Sequence, residues 1–73
     1  MREVKVGKKY KHFKGSIVEV ILIAKDSETL KDMVVYKHDG NYWVRDKEMF
    51  LSKVDRSKYS DVLQEYRFEE IGE

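Results

Sequence analysis

Apolar and polar residues alternate in several short runs along the chain, and turn-forming residues separate these runs. Alternation with a period of two is typical of β-strands that bury one face, so the pattern predicts a β-sheet protein. The predicted strands are Lys9–Phe13, Ile17–Ala24, Met33–Lys37, Tyr42–Arg45 and Tyr66–Ile71.

The run Ile17–Ala24 is the most apolar of these strands. One face is wholly apolar and carries Val18, Val20, Leu22 and Ala24. The other face is mostly apolar, with Glu19 as its polar position. A strand that is apolar on both faces usually lies in the middle of a sheet or wraps a barrel. We therefore predict a central position for this strand.

A β-hairpin is predicted over Val34–Arg45, with Asp39 and Gly40 as the two central residues of its turn. Asp-Gly is a strongly preferred pair for the type I′ turn that joins antiparallel strands. In this register Tyr36 pairs with Trp43, and an aromatic pair across two strands is stabilising. We therefore favour this register.

A second hairpin register stays open in the sequence. If Gly40 and Asn41 are the central turn residues instead, Tyr36 faces Arg45 rather than Trp43. In the favoured register, Tyr36, Trp43 and Arg45 project from one face of the sheet. The hairpin therefore places two aromatic side chains and a guanidinium group together.

One helical turn is predicted directly after the hairpin, over Asp46–Phe50. Aspartate is a favoured N-cap residue, so Asp46 is expected to cap this turn. Met49, Phe50 and Leu51 are then expected to enter the core. The later segment Asp55–Gln64 has weak helical character and cannot be assigned from its pattern.

The chain of 73 residues makes one domain, spanning 1–73. Five short strands, tight turns and one helical turn predict an all-β fold, a small SH3-like five-stranded barrel. Closure matters for so short a chain, because an open sheet leaves unpaired edges and a small core.

Composition excludes several classes of protein. The chain has no cysteine, so neither a disulfide framework nor a thiolate metal site can stabilise it. The longest apolar run, Val20–Ala24, is far too short to cross a bilayer. Charged residues make up 40% of the chain, yet the net charge is only +1. We expect a cytoplasmic monomer that does not bind membranes.

Charge is unevenly distributed between the two ends of the chain. The first fifteen residues are basic, with Glu3 set against Arg2, Lys5, Lys8, Lys9, Lys11 and Lys14. The last fourteen are acidic, with Arg67 set against Asp61, Glu65, Glu69, Glu70 and Glu73. The basic end could contact nucleic acid. We favour the alternative, in which the two ends meet and neutralise each other.

Several motifs, in this order, resemble one bacterial family: Gly7, Tyr10, His12-Phe13-Lys14-Gly15, Val18, Val20, Ser27-Glu28-Thr29, Val34-Val35-Tyr36, Trp43-Val44-Arg45, Met49-Phe50 and Arg67-Phe68. The chain resembles the domain of unknown function 1653 family over nearly its whole length. Asp26 stands where that family commonly has histidine, and Asp46 where it commonly has proline. The resemblance implies a short, often stand-alone bacterial domain with no established activity, so it supports the fold and supplies no function.

The candidate ligand-binding residues are the polar or amphipathic side chains set among the apolar strands: His12, Ser27, Glu28, Thr29, Tyr36, Trp43 and Arg45. Arg45 follows Trp43 on the same strand face. Its guanidinium could stack on an aromatic ring or form a forked ion pair with Glu28. Either arrangement could be structural or could bind a ligand.

Catalysis is the less favoured alternative, and no catalytic residue is assigned. His12 could act with Ser27 or Glu28 in a small hydrolase-like enzyme, but no nucleophile-elbow motif accompanies them. The simpler interpretation of Ser27–Thr29 is a loop whose hydroxyl groups cap backbone amides. No metal ligand set is predicted, because His12 and His38 lack a suitably spaced partner. No phosphate loop or cofactor motif is present either.

Two functions therefore compete with the enzyme hypothesis. The favoured one is a non-catalytic binding or interaction module for a peptide, a protein or a small anionic ligand, with an aromatic and arginine surface. The other is a single-stranded nucleic-acid binder, which needs more positive charge than +1 unless the N-terminal lysines form one patch.

Overall fold

A computed structural model describes residues 3–72. Its elements, in chain order, are β1 (Lys9–His12), β2 (Ile17–Lys25), β3 (Asp32–His38), β4 (Asn41–Asp46), α1 (Lys47–Phe50) and β5 (Phe68–Glu70). The strands form one antiparallel sheet in the order β4-β3-β2-β1-β5. All five predicted strands are present, with ends that differ by a few residues, and β2 is the central strand as predicted.

The sheet is open, because its two edge strands β4 and β5 do not pair with each other. The chain between α1 and β5 consists of turns and irregular segments, and its one described bridge joins Lys53 to Tyr66. β5 itself has only three residues, which limits how far it can continue the sheet. The mainly-β fold is therefore confirmed, whereas the closed barrel and its SH3-like classification are not.

The core lies on one face of the sheet, which we call the inner face. Its buried side chains are Tyr10, Val18, Val20, Val34, Tyr36, Phe50, Val54 and Phe68. Phe50 of α1 stacks on Phe68 of β5, with ring centroids 4.1 Å apart and planes 5° apart. This aromatic stack covers the inner face and joins the helix to an edge of the sheet.

A β-bulge in β2 changes which of its side chains are buried. Val20 pairs with Tyr36, but Leu22 pairs with Val35, so one extra residue is inserted between these positions. The insertion moves Leu22 to the outer face, where 46% of it is exposed. The prediction that Leu22 shares a face with Val18 and Val20 is therefore wrong.

The hairpin between β3 and β4 has the favoured register. Asp39 and Gly40 have φ values of 54° and 78°, as a type I′ turn requires of both central residues. Tyr36 lies opposite Trp43, and Val35 lies opposite Val44. The alternative register is excluded.

Helix α1 begins after the predicted cap. Oδ1 of Asp46 accepts hydrogen bonds from the backbone N–H groups of Glu48, at 2.8 Å, and Met49, at 3.3 Å. Phe50 is fully buried and Leu51 half-buried, but Met49 is exposed. The prediction for Met49 is wrong because a helix of one turn directs only one side towards the core.

The two ends of the described chain meet, as the favoured interpretation of their charge predicts. β1 pairs with β5, which sets Tyr10 opposite Glu70 and Lys11 opposite Glu69. Lys5 forms an ion pair with Glu70 at 3.3 Å. The end residues Arg2 and Glu73 lie outside the described residues. In the described part of the chain no helix is long and apolar enough to cross a membrane.

Candidate functional site

The seven candidate residues fall into separate parts of the sheet. His12, Tyr36 and Arg45 line one hollow on the inner face. Ser27, Glu28 and Thr29 line another hollow, at the opposite end of β2. Trp43 lies two residues before Arg45 on the same face of β4. The sequence therefore identified parts of two surfaces rather than one site.

The hollow with Arg45 has a volume of about 190 Å³, and we call it the inner hollow. The strands bring its lining together from the whole sheet, with His12 on β1, Tyr36 on β3, Arg45 on β4 and Phe68 on β5. Its remaining lining residues are Lys14, Ser16, Val18 and His38. The floor of the inner hollow is apolar, and basic and hydroxyl side chains surround it.

Arg45 is the central cation of this hollow. Its guanidinium carbon lies 5.5 Å from the centroid of the Phe68 ring, a cation–π contact. Its Nε is shielded from solvent and has no hydrogen-bond partner among residues 3–72. Arg45 also forms no ion pair with a described carboxylate. Of its two predicted interactions, the stacking is present and the fork onto Glu28 is not.

The ring of His12 packs against two aromatic side chains. Its ring packs edge-on against Phe68, with centroids 4.8 Å apart, and lies 4.5 Å from the ring of Phe13. Nδ1 of His12 accepts a hydrogen bond from the backbone N–H of Lys14 at 3.1 Å. In the neutral imidazole the proton therefore resides on Nε2, which makes that atom a donor.

The electrostatic field in the inner hollow is positive. The pKa of His12 lies below its ordinary value of 6.5, first because burial desolvates the charged form and then because of nearby Arg45, Arg67, Lys14 and His38. All four of these neighbours are basic, and no carboxylate acts in the opposite direction. The hollow thus gathers positive charge without an acidic counter-charge.

His38 and Trp43 form the end of the hairpin beside this hollow. Nδ1 of His38 lies 3.2 Å from the carbonyl oxygen of Ile17, which ties the hairpin turn to the start of β2. Nε1 of Trp43 donates to the carbonyl of His38 at 3.2 Å. Trp43 is half-exposed, whereas Tyr36 is buried against Phe50 and Phe68. Of the aromatic pair, only Trp43 offers a broad surface to a partner.

The loop that contains Ser27, Glu28 and Thr29 is organised by Asp26. The Asp26 carboxylate accepts hydrogen bonds from the N–H groups of Glu28, at 2.8 Å, and Thr29, at 3.1 Å. The bonds from Thr29 and Glu28 hold the pKa of Asp26 below its ordinary range. Oγ1 of Thr29 in turn accepts from the N–H of Lys31. The simpler interpretation is therefore confirmed for the Thr29 hydroxyl, whereas the main acceptor of the loop is the Asp26 carboxylate, which it did not include.

The residues of the enzyme hypothesis are far apart. The loop with Ser27 and Glu28 follows the last residue of β2, whereas His12 precedes the turn that leads into its first residue. At about 3.3 Å per residue, the nine residues of β2 separate these ends by roughly 25 Å. His12 therefore shares no hollow with either residue.

At least four other hollows are larger than the inner hollow, and the charged groups in two of them differ from those around Arg45. One, of about 340 Å³, lies between Asp32, Asp46 and Lys47. Asp32 already forms ion pairs there with Lys25, at 2.6 Å, and Lys47, at 3.9 Å. The other, of about 480 Å³, has an apolar floor of Ala24, Met33 and Val44 beside the Asp26 loop. Among the described residues, neither contains a side-chain nitrogen that is shielded from solvent and lacks a hydrogen-bond partner.

Five residues of the inner hollow are not among the candidates identified from the sequence, namely Lys14, Ser16, Val18, His38 and Phe68. His38 could have been found, because it lies two residues after Tyr36 on the same strand face. Phe68 reaches the hollow only because β5 pairs with β1, and no local pattern indicates that pairing. Among the described residues no group of three or more histidine, cysteine, aspartate or glutamate side chains converges to hold a metal ion.

Comparison with known proteins gives a family and no activity. A family model described as "Protein of unknown function (DUF1653)" matches residues 8–70. The chain belongs to this family. The match runs from just before β1 to the end of β5, so the DUF1653 domain comprises the whole sheet. No curated protein and no solved structure matches the chain.

Proposed function

We propose that this DUF1653 domain is a non-catalytic binding module whose inner hollow binds an anionic group, either a tetrahedral oxyanion or a carboxylate. The observation that carries the proposal is Arg45, a cation without a carboxylate partner and with a shielded, unbonded Nε. Arg45 is half-buried, and a partly desolvated cation is stabilised by an opposite charge beside it. An anion in the hollow would neutralise the guanidinium group, which no described carboxylate does.

The surroundings of Arg45 support the proposal. The cation–π contact with Phe68 restricts the guanidinium, so less side-chain freedom is lost when a ligand binds. Lys14 and His12 line the same hollow and can contribute further donors, since neutral His12 carries its proton on Nε2. An anion there would also favour the charged form of His12.

The hydrolase-like alternative has no comparable support, because His12 lies far from Ser27 and Glu28. The single-stranded nucleic-acid alternative needs a continuous basic surface, but Lys5 pairs with Glu70 and the basic end lies along the acidic one. The SH3-like classification, the bacterial source and the cytoplasmic location stay predictions from the sequence.

The proposal is tested by titrating ¹⁵N-labelled protein with sulfate and, separately, with acetate, at constant ionic strength set with chloride. Binding in the inner hollow should shift the Nε–H resonance of Arg45 and quench or enhance the fluorescence of Trp43. Arg45→Met should weaken the binding at least about tenfold, because a charge-assisted hydrogen bond is removed.

The matched control is Lys9→Met, which removes one positive charge from the outer face of β1. It should leave the affinity within about twofold, since exposed charges at a distance are screened. Equal losses in the two variants, or no response of Arg45 to either anion, would refute an anion site in the inner hollow.

A further inference from the structure

Strand β4 is an edge strand with an unusual surface. It has six residues and pairs with β3 on one side only. Its central side chains are all large and exposed, at 65% for Tyr42, 49% for Trp43 and 60% for Val44. Natural proteins usually protect such edges with charges or proline, and β4 has charges only at its end, Arg45 and Asp46, with neither a charge nor a proline at positions 42–44.

The backbone of β4 offers hydrogen bonds on its free side. The two-residue turn makes His38 and Asn41 a hydrogen-bonded pair, and such pairs alternate along an antiparallel ladder. The backbone groups of Trp43 therefore face β3, whereas those of Tyr42 and Val44 face away from it. This alternating row of donors and acceptors fits an extended strand and no other element.

The two faces of β4 differ in chemistry, which defines the side chains of a partner strand. On the outer face, Val44 continues an apolar row across the sheet through Val35 and Leu22. On the inner face, Trp43 is followed by Arg45 at the basic inner hollow. A strand paired with β4 would thus place alternate residues against an apolar row and the intervening residues near a cation.

A second copy of this chain fits poorly at this edge. The inner face of β4 carries Asn41, Trp43 and Arg45, and none of these is acidic. Pairing two β4 strands would therefore bring two unneutralised arginines to the same side of the joined sheet. A strand with carboxylates on that side removes this repulsion.

We propose that β4 binds an extended segment of another protein as an added antiparallel strand, with apolar residues on its outer face and carboxylates on its inner face. The inference rests on the proposed anion site, because one of these carboxylates is the group that Arg45 binds. It names the partner class as an acidic peptide strand with alternating apolar residues. Because the strands pair through their backbones, β4 would recognise the alternation of apolar and acidic residues in the partner strand rather than one particular side chain.

The test uses an acetylated, amidated hexapeptide of alternating valine and glutamate. Its controls are a block peptide of the same composition and a peptide with lysine in place of glutamate. The alternating peptide should bind at least about tenfold more tightly than either control, since several backbone hydrogen bonds and an ionic contact depend on its pattern. Amide exchange should slow at Tyr42 and Val44 and stay unchanged at Glu69 of β5.

Peptides methylated on backbone nitrogen locate the pairing without altering the protein. Directly opposite residues of antiparallel strands share a face, so the valines should donate to β4 and the glutamates should not. Methylation of the valine nitrogens should abolish binding, whereas methylation of the glutamate nitrogens should leave it. The reverse pattern would overturn the antiparallel arrangement.

The outcomes separate this inference from the proposed function. If sulfate or acetate shifts Arg45 but the alternating peptide binds no better than the block peptide, the strand proposal fails and the anion site stands. If no probe affects Arg45, both fail. If exchange at Tyr42 and Val44 slows with protein concentration alone, the occupant is a second copy and the inference is overturned.

Discussion

The two edges of the sheet are held in different ways. β5 has only three residues, but Phe68 is buried against Phe50, and the chain just before it is bonded to Ser52 and Val54. Arg67 N–H donates to the Ser52 carbonyl at 2.8 Å, and Val54 N–H donates to the Glu65 carbonyl at 2.9 Å. β4 is twice as long, yet its central residues are exposed.

This contrast shows that length and stability are separate properties of an edge strand. The short edge is fixed by aromatic packing and by its neighbouring segment, so it needs no partner. The long edge is held by its hairpin turn and by the cap of α1, and it leaves backbone groups and apolar side chains free. The fold thus stabilises the β5 edge through internal contacts and leaves the β4 edge accessible to a partner.

Among the substitutions that test this contrast, Phe68→Ala should have the largest effect. Removing this ring should lower the free energy of unfolding by about 3–5 kcal/mol, because it leaves a cavity beneath Phe50 and Arg45. Urea denaturation measures the change. The matched substitution on the other edge, Trp43→Ala, should cost about 1 kcal/mol or less, as expected at an exposed position. Equal costs would show that the two edges are not held differently.

The turn that holds β4 gives the next largest effect. Gly40 has a φ of 78°, so Gly40→Ala forces an L-residue into the left-handed region and should cost about 1–2 kcal/mol. Gly72→Ala is the control, because Gly72 has no left-handed φ and open space around it. If thermal unfolding is unchanged in Gly40→Ala, the turn does not hold the edge.

The other end of β4 depends on the helix cap. Asp46→Ala removes the acceptor of two N–H groups of α1 and should cost about 1 kcal/mol. Asp46→Asn keeps an acceptor oxygen and should recover most of this loss. Urea midpoints distinguish the two variants, and an Asn variant as unstable as the Ala variant would contradict a capping role.

The smallest effect is the pH dependence contributed by His12, which lies between the edges. Its pKa in the folded protein is below 6.5, so the unfolded state binds the proton more readily. The stability that His12 contributes is therefore present above about pH 6.5 and is lost as the pH falls towards its folded pKa. In thermal melts between pH 7.5 and 5, His12→Gln should show a shallower decline than the wild type.

The hairpin could be predicted from the sequence because its determinants are local. The turn residues Asp39 and Gly40 specify the register, and the register places Tyr36, Trp43 and Arg45 on one face. The bulge in β2 has no such signal, since Val20 and Leu22 are both apolar and the pattern does not mark an inserted residue. The exposure of Leu22 therefore could be recognised only from the structure.

The inner hollow could be predicted only in part, because only some of its lining residues are brought together by local sequence. Tyr36 and Arg45 belong to one hairpin, so their proximity is local. His12 reaches them through Phe68, which lies opposite His12 in the pairing of β1 with β5 and beneath the guanidinium of Arg45. Such pairing is non-local. The Ser27–Thr29 loop precedes the hairpin in sequence, but it follows β2 at the end of that strand farther from the inner hollow.

The most direct test of the anion site is the pKa of His12, measured by NMR in the presence and absence of saturating sulfate, which keeps its charge between pH 5 and 8. Sulfate should raise this pKa, because an anion offsets the basic groups that lower it in the free protein. Arg45→Met should abolish the response to sulfate. An unchanged His12 pKa at saturating sulfate would contradict the account.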